Sequence, residues 1–127
     1  MKRPSKYGAI AAYRCADCGA DIGAPAKCFA CGGGKSIRFA SKAEARRYDT
    51  LRFMLKHGQI ADLREQVAYD IIVNEKTIGL YRADFVYTDC ETGERIVEDV
   101  KGVETPAFKL KRKAIEAQYG FKIRIVR

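Results

Sequence analysis

Histidine is almost missing from this sequence: His57 is the only one, so hydrolytic chemistry built on a histidine base with further histidine metal ligands does not fit. Capping a helix end is the expected job of that residue. Long apolar runs are missing too. None approaches the roughly 20 residues that a membrane-spanning helix needs, and Ala9 to Tyr13 is too short and too broken for a signal-peptide core behind the basic Met1-Lys2-Arg3-Pro4. The expectation is a cytoplasmic protein with no membrane partner. Acidic residues are outnumbered, 16 against 24 basic ones, for a formal charge of +8. That excess points to an acidic partner, nucleic acid first, but does not separate an enzyme from a binding module.

What is present begins with cysteine. Four of the five cysteines form a Cys15-x2-Cys18 pair and, nine residues on, a Cys28-x2-Cys31 pair. Each pair can turn both sulfurs toward one tetrahedral ion, and Gly19, Gly23, Gly32, Gly33 and Gly34 supply tight turns. The pattern predicts a Zn²⁺ site. Two disulfides in a secreted mini-domain are the alternative, disfavoured by the missing signal peptide and the symmetric spacing. All four positions are thiolates, so the site is expected to be closed and structural, holding folded a segment too small to bury much core. Cys90 reads as a free thiol. In the first 36 residues Lys2, Arg3, Lys6, Arg14, Lys27 and Lys35 oppose only Asp17 and Asp21, either a DNA-contacting surface or a solvated one.

At 127 residues the chain suits one domain with a small appendage, read as a zinc ribbon over 1–36 and a core over 37–127, with Gly32-Gly33-Gly34 as linker. Ser41 as N-cap, Glu44 at the capping-box position and Gly58 as stop predict a helix ending at Lys56-His57, with Glu44, Tyr48, Leu51 and Leu55 on one stripe. Gln66–Val73 reads as a strand, turned by Asn74-Glu75-Lys76 into a second strand. A hairpin loop at Asp89-Cys90-Glu91-Thr92-Gly93 leads to a third, Ile96–Gly102. Thr105 and Pro106 start a second helix that Gly120 ends, and Phe121–Val126 closes the chain as a strand. The order of helix, three strands, helix and strand predicts an α/β sandwich around a mixed sheet.

Side chains alternate along a strand, so Val97, Asp99 and Lys101 look one way and Ile96, Glu98 and Val100 the other. Asp84, expected on a face with Ile78, Leu80 and Val86, would bring a second carboxylate to the same end of the hairpin. Two carboxylates and an amine there suit a metal-dependent phosphodiesterase, although charged residues near strand ends are usually just solvated. Glu44 is either a capping residue alone or also a third acidic member of that site. On the second helix Lys109, Arg112, Lys113 and Glu116 share the solvent side, either a face that contacts the DNA backbone or simply a solvated one. Lys111 falls among Ala107, Phe108, Ala114 and Ile115, where it must snorkel or find a partner such as a phosphate near the metal site.

Glu44 on a first helix, Asp84 on a hairpin strand, Asp99-Val100-Lys101 on its partner and a helix to follow resemble the PD-(D/E)XK nuclease superfamily. Residues Phe39–Tyr48, Leu63–Gln66, Tyr81–Phe85, Val97–Gly102 and Thr105–Lys111 look more narrowly like small phage-borne endonucleases akin to Holliday-junction resolvases. The resemblance covers roughly 37–127, and Lys6-Tyr7-Gly8 looks like the usual beginning, with the ribbon replacing or interrupting an N-terminal hairpin. Ala83 stands where the superfamily's name has Pro. The resemblance implies a restriction-endonuclease-like core and a catalytic set of Glu44, Asp84, Asp99 and Lys101. The three carboxylates and the Val100 carbonyl would hold Mg²⁺ or Mn²⁺, hard cations that prefer oxygen. It further implies branched DNA as substrate, 5′-phosphate and 3′-hydroxyl products, a homodimer and the cytoplasm of a phage host. Ser41, Gln66, Lys109, Lys111, Arg112 and Lys113 complete the expected DNA contacts. Two alternatives stay open: a nuclease of the same fold acting on flaps, nicks or ends, and a non-catalytic zinc-ribbon protein that binds nucleic acid.

Overall fold

The computed structural model describes residues 10–127, so Lys2, Arg3, Lys6 and the Lys6-Tyr7-Gly8 opening lie outside the described residues. The chain forms two compact units that divide between Phe53 and Met54. In the first unit β1 (Ala12–Cys15) pairs antiparallel with β2 (Ser36–Phe39), and α1 (Lys42–Lys56) follows, its last turn passing the division. The boundary expected after Ser36 is therefore displaced, because the residues that were to begin a separate core are the second strand of the ribbon.

Two side chains fasten the ribbon to α1. Arg14 binds Asp49 through both carboxylate oxygens, at 2.9 and 3.0 Å, and Arg52 donates to the Asp17 carbonyl at 3.3 Å. Arg14 is buried, and its hydrogen bonds to Asp49 raise its pKa above the usual arginine value. This corrects its place among the exposed cations of the ribbon: an ion-paired guanidinium is not offered to DNA. Phe39 packs on Tyr48 with ring centroids 4.9 Å apart.

Local chemistry sets the ends of α1 as expected. Ser41 Oγ accepts the Glu44 N–H at 3.1 Å, the forward half of a capping box, and Glu44 Oε2 reaches back past the cap to accept the Ala40 N–H at 3.3 Å. At the other end Gly58, at φ 75°, donates to Leu55 O while Gln59 donates to Met54 O, the pair of bonds that closes a helix on a left-handed residue. Ala45, Tyr48 and Leu51 are buried, but Leu55, expected on the same stripe, is exposed.

The second unit is a four-stranded mixed sheet in the order β3 (Ile60–Val73), β4 (Lys76–Asp89), β5 (Arg95–Val100) and β6 (Ile123–Val126), with α2 (Pro106–Tyr119) between β5 and β6. The first two pairings are antiparallel and β5–β6 is parallel. Ile71, Tyr81, Ala83, Val86 and Val97 of the sheet pack with Phe108 and Ile115 of α2 and with Ile123. Thr105 Oγ caps α2 by accepting the Phe108 N–H at 3.1 Å, and Gly120 ends it at φ 79°.

Three elements depart from expectation. β3 starts at Ile60 rather than Gln66, because Asp62 takes a left-handed φ of 54° and a register shift between Ala61 and Arg64 carries the strand through an irregular, charged stretch. β6 starts two residues late, at Ile123. Alternation along β4 breaks beside Asp84: Tyr81 and Ala83 face α2 before it, and Val86 faces the same way after it. Asp84 therefore does not share one regular face with Ile78, Leu80 and Val86. Ile78 and Leu80 are 65% and 44% exposed, whereas Val86 is fully buried.

Candidate metal and catalytic site

The cysteine cluster is built twice from one turn. In the first knuckle the Cys15 N–H donates to Ala20 O and the Gly19 N–H to Cys15 O; in the second, Cys28 N–H donates to Gly33 O and Gly32 N–H to Cys28 O. The matching glycines, Gly19 and Gly32, sit at φ 81° and 77°, backbone that other residues enter only at a cost. Gly32 and Gly33 are thus parts of the second knuckle and not a linker. A side chain at Gly33 would run into Asp17.

The turns bring one sulfur from each of Cys15, Cys18, Cys28 and Cys31 within 4.8 Å of the others. Cys15–Cys31 and Cys18–Cys28 are each 3.6 Å apart, too far for disulfides. Such a cluster can hold one structural metal ion such as zinc. N–H groups are aimed at the sulfurs, those of Ala30 and Gly33 donating to Cys28 and Cys31 at 3.4 Å. The Cys18 N–H leads in pulling Cys15 down to about 7, whereas at Cys31 the Gly33 N–H lowers the pKa but the neighbouring thiols outweigh it and push it up to about 12.

Two carboxylates of the second unit, Asp84 and Asp99, lie where the β4–β5 ladder stops. Its outermost pair there is Phe85 with Glu98. Beyond it Asp84 Oδ2 accepts the Val100 N–H at 2.8 Å, a side chain standing in for backbone pairing. Gln66, at φ 55°, lies between the Glu65–Phe85 and Val67–Ala83 pairs, opposite this break. It is exposed there.

Asp99 is 1% exposed. The Tyr81 hydroxyl donates to its Oδ2 at 2.6 Å, Lys101 Nζ lies 3.3 Å from its Oδ1, and that second oxygen has no hydrogen-bond partner among the described residues. Lys101 Nζ also lies over the Phe108 ring, 4.5 Å from the centroid, which holds the ammonium beside the carboxylate. Lys101 itself is positioned by parallel pairing, its N–H donating to Val126 O at 2.9 Å. On the opposite face of β5, Glu98 is fully buried and accepts from Tyr87 at 2.6 Å. The alternation expected for 96–101 is the one found.

A cavity of about 270 Å³ opens beside Asp99 and Lys101, lined also by Leu80, Tyr81, Arg82, Thr105, Phe108 and Lys111. Lys111 is exposed and reaches this cavity, as its helical position suggested. Arg82, on β4, was not singled out from sequence; nothing but its place next to Tyr81 could have signalled it. Lys109 and Lys113 are exposed on α2. Arg112 and Glu116 are not the solvent-facing pair expected: Arg112 binds Glu104 at 3.1 Å and Glu116 accepts the Ile123 N–H at 2.8 Å. Arg112 thus serves to hold the loop after Lys101, with Arg127 on the same Glu104 at 2.8 Å.

Glu44 belongs to the first unit, where its capping bond explains its position. The Ser41 hydroxyl is likewise engaged at the helix start. No helix among the described residues is long and apolar enough to cross a membrane.

Residues 33–126 match the model of a family described as a protein of unknown function (DUF1064), and the chain belongs to that family. No curated protein and no solved structure matches it.

Proposed function

We propose that this member of the DUF1064 family is a metal-dependent DNA endonuclease of the PD-(D/E)XK kind, with a four-way junction as its substrate and a structural Zn²⁺ on its four cysteines. The observation that carries the reading is Asp99: a buried carboxylate whose Oδ1 accepts no hydrogen bond among the described residues and has only the Lys101 ammonium, 3.3 Å away, beside it at the edge of an open cavity. A buried carboxylate oxygen left without a hydrogen bond is costly unless something else satisfies it. A hard divalent cation is what an all-oxygen set suits, and Asp99, Asp84 and the Val100 carbonyl are such a set. Glu44 enters from the sequence resemblance alone.

When bound, Mg²⁺ would lower the pKa of a coordinated water and stabilise charge on the phosphate. The chain's own groups have distinct tasks. Lys101, an ammonium fixed between Asp99 and Phe108, orients the attacking water by donating to it. Arg82 and Lys111, exposed at the cavity and paired with no carboxylate among the described residues, hold the phosphodiester backbone by charge. The +8 excess favours this polyanion. One such site cuts one strand, so symmetric resolution of a junction calls for a two-fold dimer.

A second reading has an observation of its own. Asp84 and Asp99 each hold a structural hydrogen bond, as they would in a zinc-bearing protein that only binds nucleic acid. A cleavage panel separates the two: synthetic four-way junction, flap, nicked and linear duplex, each with Mg²⁺ and with chelator. Paired symmetric cuts in the junction support the proposal, preference for flaps or nicks moves the substrate, and binding without cutting under Mg²⁺ or Mn²⁺ leaves the binding protein.

A further inference from the structure

We infer that Tyr81 is a positioning residue for the metal site, its hydroxyl fixing Asp99 so that Oδ1 alone is offered to a divalent ion. The inference rests on the nuclease reading and adds to it the residue that decides how Asp99 binds.

Tyr81 and Asp99 are not partners in the sheet. Tyr81 pairs with Tyr69 of β3, past the point where the β4–β5 ladder has stopped. The break in β4 at Asp84 leaves Tyr81 on the α2 face, over the end of β5. There its ring is held between Tyr69 and Phe108, each with its centroid 6.4 Å away. Tyr81 is 3% exposed, so its hydroxyl has little water to turn to. At 2.6 Å its bond to Oδ2 is short, as a hydroxyl donating to an ionised acceptor should be.

The consequence is an asymmetric carboxylate. Oδ2 is committed to the phenol, Oδ1 faces Lys101 and has no hydrogen bond. A carboxylate pinned at one oxygen cannot rotate to bind an ion through both. Groups that pin metal ligands in this way contribute about 10- to 100-fold to metal affinity when they can be removed singly. Tyr81→Phe removes the donor and keeps the ring, which makes it the selective test.

The measurement is Mn²⁺ binding to the full chain by calorimetry, without DNA, alongside thermal unfolding. Wild type is expected to bind, Asp99→Asn to lose binding, and Tyr81→Phe to bind about 10-fold more weakly with the metal requirement of cleavage raised in parallel. A purely structural tyrosine would lower the unfolding temperature and leave Mn²⁺ affinity unchanged, and that result overturns the inference while leaving the nuclease reading in place. Absence of Mn²⁺ binding by wild type overturns both. Should Tyr81→Phe not fold, fluorotyrosine at position 81 keeps the donor and makes it more acidic: a changed Mn²⁺ affinity then supports the inference and an unchanged one overturns it.

Discussion

The Asp84 carboxylate accepts the Val100 N–H at 2.8 Å, so a side chain takes over where backbone pairing between β4 and β5 has ended. That bond gives Asp84 a structural task beside the proposed catalytic one, and two substitutions separate them. Asp84→Asn keeps an oxygen acceptor for Val100 but loses the charge a divalent ion needs. It is expected to unfold within about 1 kcal/mol of wild type and to cut no DNA. Asp84→Ala strands the Val100 N–H and is expected to cost roughly 1–3 kcal/mol as well. Urea unfolding and a cleavage assay on the same preparations check both.

The cysteine cluster predicts one zinc per chain. Cys15 and Cys28 are buried and Cys18 and Cys31 exposed, yet all four sulfurs are needed for a closed tetrahedral site. Cys28→Ser is expected to abolish stoichiometric zinc and to loosen the ribbon, read as new protease sensitivity within 10–40. Protons compete with the ion for thiolates, so zinc is held at neutral pH and released as the pH falls. Atomic emission after dialysis across a pH series measures it.

How much of this could be read from sequence follows the range of the forces involved. Both helices announced themselves through local chemistry, Ser41 with Glu44 and Gly58 for one, Thr105 with Pro106 and Gly120 for the other. Each of these signals acts within a few residues of itself. The knuckles were legible because a metal demands fixed spacing. By contrast, the left-handed φ values at Asp62 and Gln66 belong to residues whose types do not require them, so the start of β3 and the break opposite Asp84 left no trace in composition. Gly32-Gly33-Gly34 resembles a linker until the Gly32 N–H and the Gly33 carbonyl are seen to close a turn on Cys28. The partners Arg14–Asp49 and Tyr81–Asp99 are 35 and 18 residues apart in sequence. Arg14, counted from sequence among the surface cations, and Tyr81, given no role there, are both tied to acids far along the chain.

Alkaline stability should report on the buried tyrosines. Burial first, and then the Asp99 carboxylate, raise the Tyr81 pKa far above its ordinary value of 10.0; burial likewise raises Tyr69. A group whose pKa is higher folded than unfolded contributes stability that is complete below the unfolded value and disappears as the pH rises past it. Unfolding midpoints are therefore expected to stay level to about pH 9 and to fall above roughly pH 10. Tyr81→Phe should flatten that fall. Tyr69→Phe should do so less, its ring being only partly buried.

Arg82 and Lys111 are expected to act on binding and not on chemistry. Replacing either with Gln should raise KM for DNA with kcat little changed, and should lower the slope of log affinity against log salt by about 0.9 per lost phosphate contact. Mn²⁺ affinity without DNA should not move. Titrations across a series of salt concentrations give the slope directly.

The most direct test of the central claim is a four-way junction offered to wild type and to Asp99→Asn under Mg²⁺, with binding and cutting followed on the same samples. The account predicts that wild type cuts opposite strands symmetrically while Asp99→Asn binds with similar affinity and leaves every strand intact. Equal cutting by the two proteins, or no cutting of any DNA by wild type under either Mg²⁺ or Mn²⁺, would contradict it.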